Sequence, residues 1–171
     1  MPASILVAYA TRYGSTREVA EAVLTVLHDQ HLDAELQPAR AVQSLEAYGA
    51  VVLGAPLYMF HWHADALRFL SRQRKALGAR PVALFALGPF HDDAKERQEA
   101  RGQLDKELLK FPWLAPVAVE VFGGKFDPAK LGFPYSLIGP LKKLPAEDVR
   151  DWNAIRAWAG GLAAKLQPQT G

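Results

Sequence analysis

Residues 4–28 read SILVAYATRYGSTREVAEAVLTVLH, and the YATRYGST at 9–16 decides how the whole chain is read. The apolar run over 4–10 is short and unbroken, the pattern of a strand covered on both faces in a parallel sheet. Over 15–28, Val19, Val23, Leu24 and Leu27 fall on one helical face, and Ser15 followed by Glu18 matches a capping box. Between strand and helix lies a turn of Thr11, Arg12, Tyr13, Gly14, Ser15 and Thr16. Backbone N–H groups at a helix start lack intrahelical partners, and the helix dipole favours an anion there. Three hydroxyls, an arginine and a turn-permitting glycine suit either a plain strand-to-helix connection or a cradle for a phosphate monoester. The spacing is neither the Gly-x-Gly-x-x-Gly dinucleotide loop nor the nucleoside-triphosphate loop.

Working outward, the same alternation repeats. Apolar runs over 50–54, 81–87 and 117–122 read as further strands, and 34–37 as an edge strand that Pro38 would stop. Helical patterns occupy 63–77, 93–111 and 147–166, with a short helix expected near 41–48. Strands alternating with helices predict an α/β fold: a doubly wound, five-stranded parallel sheet with helices on both faces. No repeat or linker interrupts the chain, so one domain over 1–171 is expected. Ligands of such sheets bind beyond the carboxyl ends of the strands, where the strand order reverses. Function is therefore sought in the loops that follow the strands.

Composition narrows the chemistry. Cysteine is absent, which excludes thiol catalysis, disulfides and cysteine-ligated metals. No apolar run approaches the ~18 residues that a membrane helix needs, and no secretory leader is evident, so a cytoplasmic protein is expected. A net charge of +2 is too small to point to nucleic acid.

Two later loops are dense in aromatic and soft side chains. Pro56, Leu57, Tyr58, Met59 and Phe60 follow the third strand, and Gly88, Pro89, Phe90 and His91 follow the fourth. Together they could enclose a flat apolar ring from two sides. Trp62 and His63 read instead as packing for the next helix, and His61 and His91 as surface histidines.

The stretch ILVAYATRYGSTREVAEAV resembles the start of the flavodoxin-like FMN-binding family, whose first loop wraps the flavin phosphate. The arginine after the first threonine and the Ser-Thr pair are similar to the flavodoxin-domain branch that includes quinone-dependent protoporphyrinogen IX dehydrogenase. FGGKFDPAKL and DVRDWNAIRAWA near the end add to that likeness. The resemblance implies strand order 2-1-3-4-5 and FMN as cofactor, with its phosphate on residues 11–16 and its ring between 56–60 and 88–91. It also implies a two-electron oxidoreductase with a small-molecule or quinone partner, no nucleic acid, and at most peripheral membrane contact. A one-electron carrier serving another protein and a flavin-free interaction module remain open beside it. Residues 57–61 contain no glycine for the peptide flip that stabilises one-electron-reduced flavin, which favours two-electron chemistry. A pI near 8.9 also departs from the acidic character of familiar flavodoxin carriers. Residues 125–145 resemble a shortened form of the branch's insertion before the last helix.

Overall fold

Along β1 (Ser4–Tyr9) the side chains alternate between two cores: Ile5, Val7 and Tyr9 enter one, Leu6 and Ala8 the other. That period-2 split on an uninterrupted apolar strand requires cover on both faces. The computed structural model describes residues 4–58, 61–88, 93–126 and 147–167.

β1 lies between β2 (Ala34–Pro38) and β3 (Tyr48–Tyr58), parallel to both; Ile5 is level with Ala34 and Ala50, and Tyr9 with Pro38 and Gly54. β3 continues the parallel sheet to β5 (Val82–Leu87), and β5 to β6 (Ala118–Phe122), giving the order β2-β1-β3-β5-β6. β4 (His61–Trp62) folds back antiparallel on the end of β3. Without that hairpin, the order is the expected 2-1-3-4-5. A separate antiparallel pair joins β7 (Lys125–Phe126) to β8 (Glu147–Asp148).

α1 (Ser15–Asp29) and α5 (Trp152–Leu166) cover one face, where Val19, Val23, Leu27, Ile155, Ala159 and Leu162 meet Val7, Val52 and Phe85. α2 (Ala64–Arg72), α3 (Arg74–Leu77) and α4 (Ala94–Leu108) cover the other, bringing Phe69, Leu70, Leu77 and Leu104 onto Leu6, Leu53 and Leu84. Each such leucine, fully buried, contributes roughly 1.5–3 kcal/mol. Gly54 leaves the flat spot that the Phe85 ring occupies; a Cβ there would run into that ring.

Several boundaries differ from the sequence reading. β3 extends through Tyr58, so Pro56, Leu57 and Tyr58 end a strand rather than open a loop. The expected helix over 63–77 divides at Gln73, whose backbone opens to φ −100°, ψ 18° and whose buried amide donates to the Gln43 carbonyl at 3.4 Å. A 3-10 turn at Ala39–Ala41 stands where a short helix near 41–48 was expected. The last helix begins at Trp152, because Glu147–Asp148 pair as a strand and the Asp151 carboxylate accepts from the Ala154 N–H at 3.0 Å. Of the segment 125–145, all but Lys125 and Phe126 lies outside the described residues.

Candidate functional site at the carboxyl ends of the strands

The strand order reverses between β1 and β3, and the turn over 11–16 leaves β1 at that point. Gly14 holds it in shape: its φ of 93° is left-handed, and among the described residues nothing beyond its chain neighbours lies within 4 Å of where a Cβ would stand. The Thr11 hydroxyl accepts from the Gly14 N–H at 2.8 Å, tying the turn to itself. The capping box expected from Ser15 and Glu18 is not formed. Gly14 is the N-cap and makes no side-chain cap, and α1 begins at Ser15. The left-handed glycine moves the helix start one residue earlier than that motif allows.

The first α1 backbone bond runs from Glu18 N–H to the Gly14 carbonyl at 3.2 Å, so the amides of residues 15–17 precede it. Ser15 is buried and Thr16 fully so, and Thr16 Oγ1 has no hydrogen-bond partner among the described residues. A buried hydroxyl left unpaired costs about 1–3 kcal/mol. Three leading amides and an orphaned hydroxyl beside an open left-handed turn match the donor set a phosphate monoester accepts.

The other predicted residues assemble around this turn. Tyr13 meets Tyr58 edge-on with centroids 6.4 Å apart, so the β1 turn touches the end of β3 across the switch point. Arg12 is exposed and its guanidinium lies 5.5 Å from the Tyr13 ring. Pro56 and Leu57 are buried, Pro56 level with Leu87 and Leu57 with Trp62. Leu57 packs in the core rather than on the surface. Gly88 follows β5, donates its N–H to the Phe122 carbonyl at 2.9 Å, and lies against Ala100 and Val121. Met59, Phe60, Pro89, Phe90 and His91 lie outside the described residues.

Trp62 is buried and donates its ring N–H to the Ala55 carbonyl at 2.9 Å, a packing role. His63 caps α2: its Nδ1 accepts from the Asp65 N–H at 3.0 Å. Burial holds its pKa below the usual value, against the pull of Asp65 and with help from Arg12 and Arg68. His61 stands exposed on the hairpin, with Nδ1 3.1 Å from Glu107 Oε1. Burial pushes the Glu107 pKa up, but the bonds from His61 and Lys110 outweigh it and hold the carboxylate below its usual value.

Three of the cations on and beside α2 and α3 bond within the chain. Arg72 donates to the Ala39 and Val42 carbonyls at 3.0 and 3.2 Å, Arg80 to Ala76 at 2.6 Å, and Arg68 lies 3.4 Å from Asp65.

Sequence reasoning missed Arg150. Its guanidinium, with 3% of the side chain exposed, links Asp148, Glu18 and the Ser15 carbonyl at the start of α1. The signal was present in DVRDWN, where one arginine stands between two aspartates directly before a helix. Its Ser15 partner, however, is 135 residues away in sequence.

Protoporphyrinogen IX dehydrogenase (quinone) of Escherichia coli (strain K12) is 26% identical over 169 residues, covering 92% of this chain and 93% of that protein. A short-chain flavodoxin associated with a non-canonical PDU bacterial microcompartment superposes with a TM-score of 0.58 at 14% identity, covering 96% of this chain and 99% of its own. A flavodoxin from the domain Archaea gives 0.57 at 12% identity, covering 95% and 98%. These structural likenesses confirm the doubly wound flavodoxin-like fold. The family model described as flavodoxin domain matches residues 6–136, and the chain belongs to that family.

Proposed function

We propose that this chain binds FMN and works as a two-electron oxidoreductase on a small-molecule or quinone partner. The observation that carries the reading is Thr16 Oγ1, buried and unpartnered beside a left-handed glycine turn at the switch point of the sheet. In this reading Thr11, Arg12, Tyr13, Gly14, Ser15 and Thr16 hold the phosphate. The end of β3 with Met59 and Phe60 covers one side of the ring, and residues 88–91 the other. Bound FMN supplies the redox chemistry, accepting and passing on reducing equivalents. The protein supplies the rest: amides 15–17 and the turn hydroxyls anchor the phosphate, and the Tyr13–Tyr58 contact ties that anchor to the wall of the ring site. The relative named protoporphyrinogen IX dehydrogenase, matched over most of both chains, supports a quinone-linked reaction, with porphyrinogen as a candidate substrate class.

Purified protein titrated with FMN and, separately, with riboflavin tests the reading. Tight FMN binding, with riboflavin bound at least tenfold more weakly, supports it. A protein that quenches neither flavin's fluorescence overturns it. Stepwise reduction of the FMN complex then separates two-electron from one-electron chemistry. Direct bleaching of the yellow spectrum is expected, and a strong long-wavelength band partway through would favour the electron-carrier role.

A further inference from the structure

The turn that would hold a phosphate dianion is flanked by two carboxylates. Glu18 stands in the first turn of α1, and Asp148 ends β8. Placed there alone, both would repel an anion in the cradle. Arg150 answers both at once. Its Nε and Nη2 donate to the two oxygens of Asp148 at 2.9 and 2.7 Å, the bidentate geometry that orients a guanidinium most firmly. Its Nη1 lies 3.5 Å from Glu18 Oε1 and donates to the Ser15 carbonyl at 3.3 Å. The guanidinium centre lies 4.7 Å from the Trp152 ring centroid, so the start of α5 backs it.

The contact to Ser15 is the informative one. Ser15 opens α1, and its neighbour Thr16 carries the unpartnered hydroxyl. A side chain from the far end of the sequence thus grips the backbone from which the leading amides project. It is also the shared counter-ion of the two acids beside them. Asp148 belongs to the β7–β8 pair, so the same side chain joins that pair to the turn.

We propose that Arg150 is a positioning residue for the phosphate end of the flavin site: it neutralises Asp148 and Glu18 and fixes the first turn of α1, so that the turn prefers a phosphorylated flavin to an unphosphorylated one. This rests on the FMN reading above. A merely structural Arg150 would weaken both flavins alike; a positioning Arg150 changes the ratio between them. It does not touch the ligand. Its effect passes through Ser15 and the two carboxylates.

The test is the ratio of riboflavin to FMN dissociation constants. In Arg150→Met the ratio falls tenfold or more, with riboflavin affinity within about threefold of wild type. Arg150→Lys, which keeps the charge and loses the fork, falls between the two. Adding Asp148→Asn to Arg150→Met restores part of the ratio, because one of the two unanswered carboxylates is gone. Equal losses for both flavins, or an unchanged ratio in Arg150→Met, overturn the role and leave the FMN reading intact. If Arg150→Met does not fold, Arg150→Lys decides: an unchanged ratio there overturns the role. A wild-type chain that binds neither flavin overturns the FMN reading and this role with it.

Discussion

Thr16 places an apparent defect at the start of α1: a hydroxyl with no exposure and, among the described residues, no partner in the first turn of a helix. Valine has nearly the same shape and no hydroxyl, so Thr16→Val removes only the orphaned group. The FMN reading then predicts effects of opposite sign. The free protein keeps its stability or gains about 1 kcal/mol, because an unsatisfied buried group is gone. FMN affinity falls about tenfold or more, the loss of one hydrogen bond to a charged ligand at about 1.5–3 kcal/mol. Urea denaturation and FMN titration of the same variant measure the two. Lost stability together with unchanged FMN affinity would assign the hydroxyl to the fold. Residue types in the turn were enough to point to this position from sequence, since hydroxyls and a glycine at a helix start carry their chemistry locally. Arg150 was illegible by the same standard, because its meaning lies in a carbonyl 135 residues away.

Among the elements, α2 shows most directly how local chemistry and burial combine. Its cap is a histidine, and the cap works only while Nδ1 is unprotonated and can accept the Asp65 N–H. The folded pKa of His63 is depressed, chiefly by burial, so the unfolded chain takes up the proton more readily. His63 therefore contributes fully above the unfolded value of about 6.5. That contribution is lost as the pH falls below it toward the depressed folded value. His63→Ala is expected to cost about 1 kcal/mol at pH 8, in the range for lost helix caps. The gap to wild type should narrow by pH 5.5. Denaturation midpoints of both proteins across that interval check it, and a gap constant with pH would mean that the cap does not titrate. The strands were legible as unbroken runs because β1, β3 and β5 are buried on both faces, which leaves no polar period to blur them. Elements of two residues such as β4, β7 and β8 leave no periodic trace. Their pairing is decided by neighbours, as when Trp62 turns back to reach the Ala55 carbonyl. The break at Gln73 leaves no local trace for the same reason: the apolar spacing continues through it, and the tertiary bond to Gln43 accompanies the division.

At the level of the molecule, the two layers meet where the ligand would sit. The turn after β1 feeds α1, which packs with α5, while the end of β3 feeds the hairpin and α2 on the opposite face. A ligand gripping the turn and the end of β3 therefore bears on both cores. Its binding should be read out as global stability rather than as a local tightening. If FMN binds only the folded chain, a hundredfold excess over its dissociation constant adds about 2.7 kcal/mol. For a chain of 171 residues, each kcal/mol moves the melting temperature by about 2–4 °C. A rise of about 5–10 °C is therefore expected with FMN, and a smaller one with the same concentration of riboflavin, which lacks the phosphate. The phosphate also makes the FMN shift sensitive to salt, because the dianion enters a positively charged protein at a turn whose Arg12 is exposed. Raising ionic strength from about 0.01 M to 0.15 M shortens the screening length from about 30 Å to about 8 Å. The FMN shift should shrink across that range while the riboflavin shift holds. Calorimetry with both flavins at the two ionic strengths separates the outcomes. Equal shifts from the two flavins, unaffected by salt, would mean that the ring alone is recognised and that the turn at Gly14 holds no phosphate.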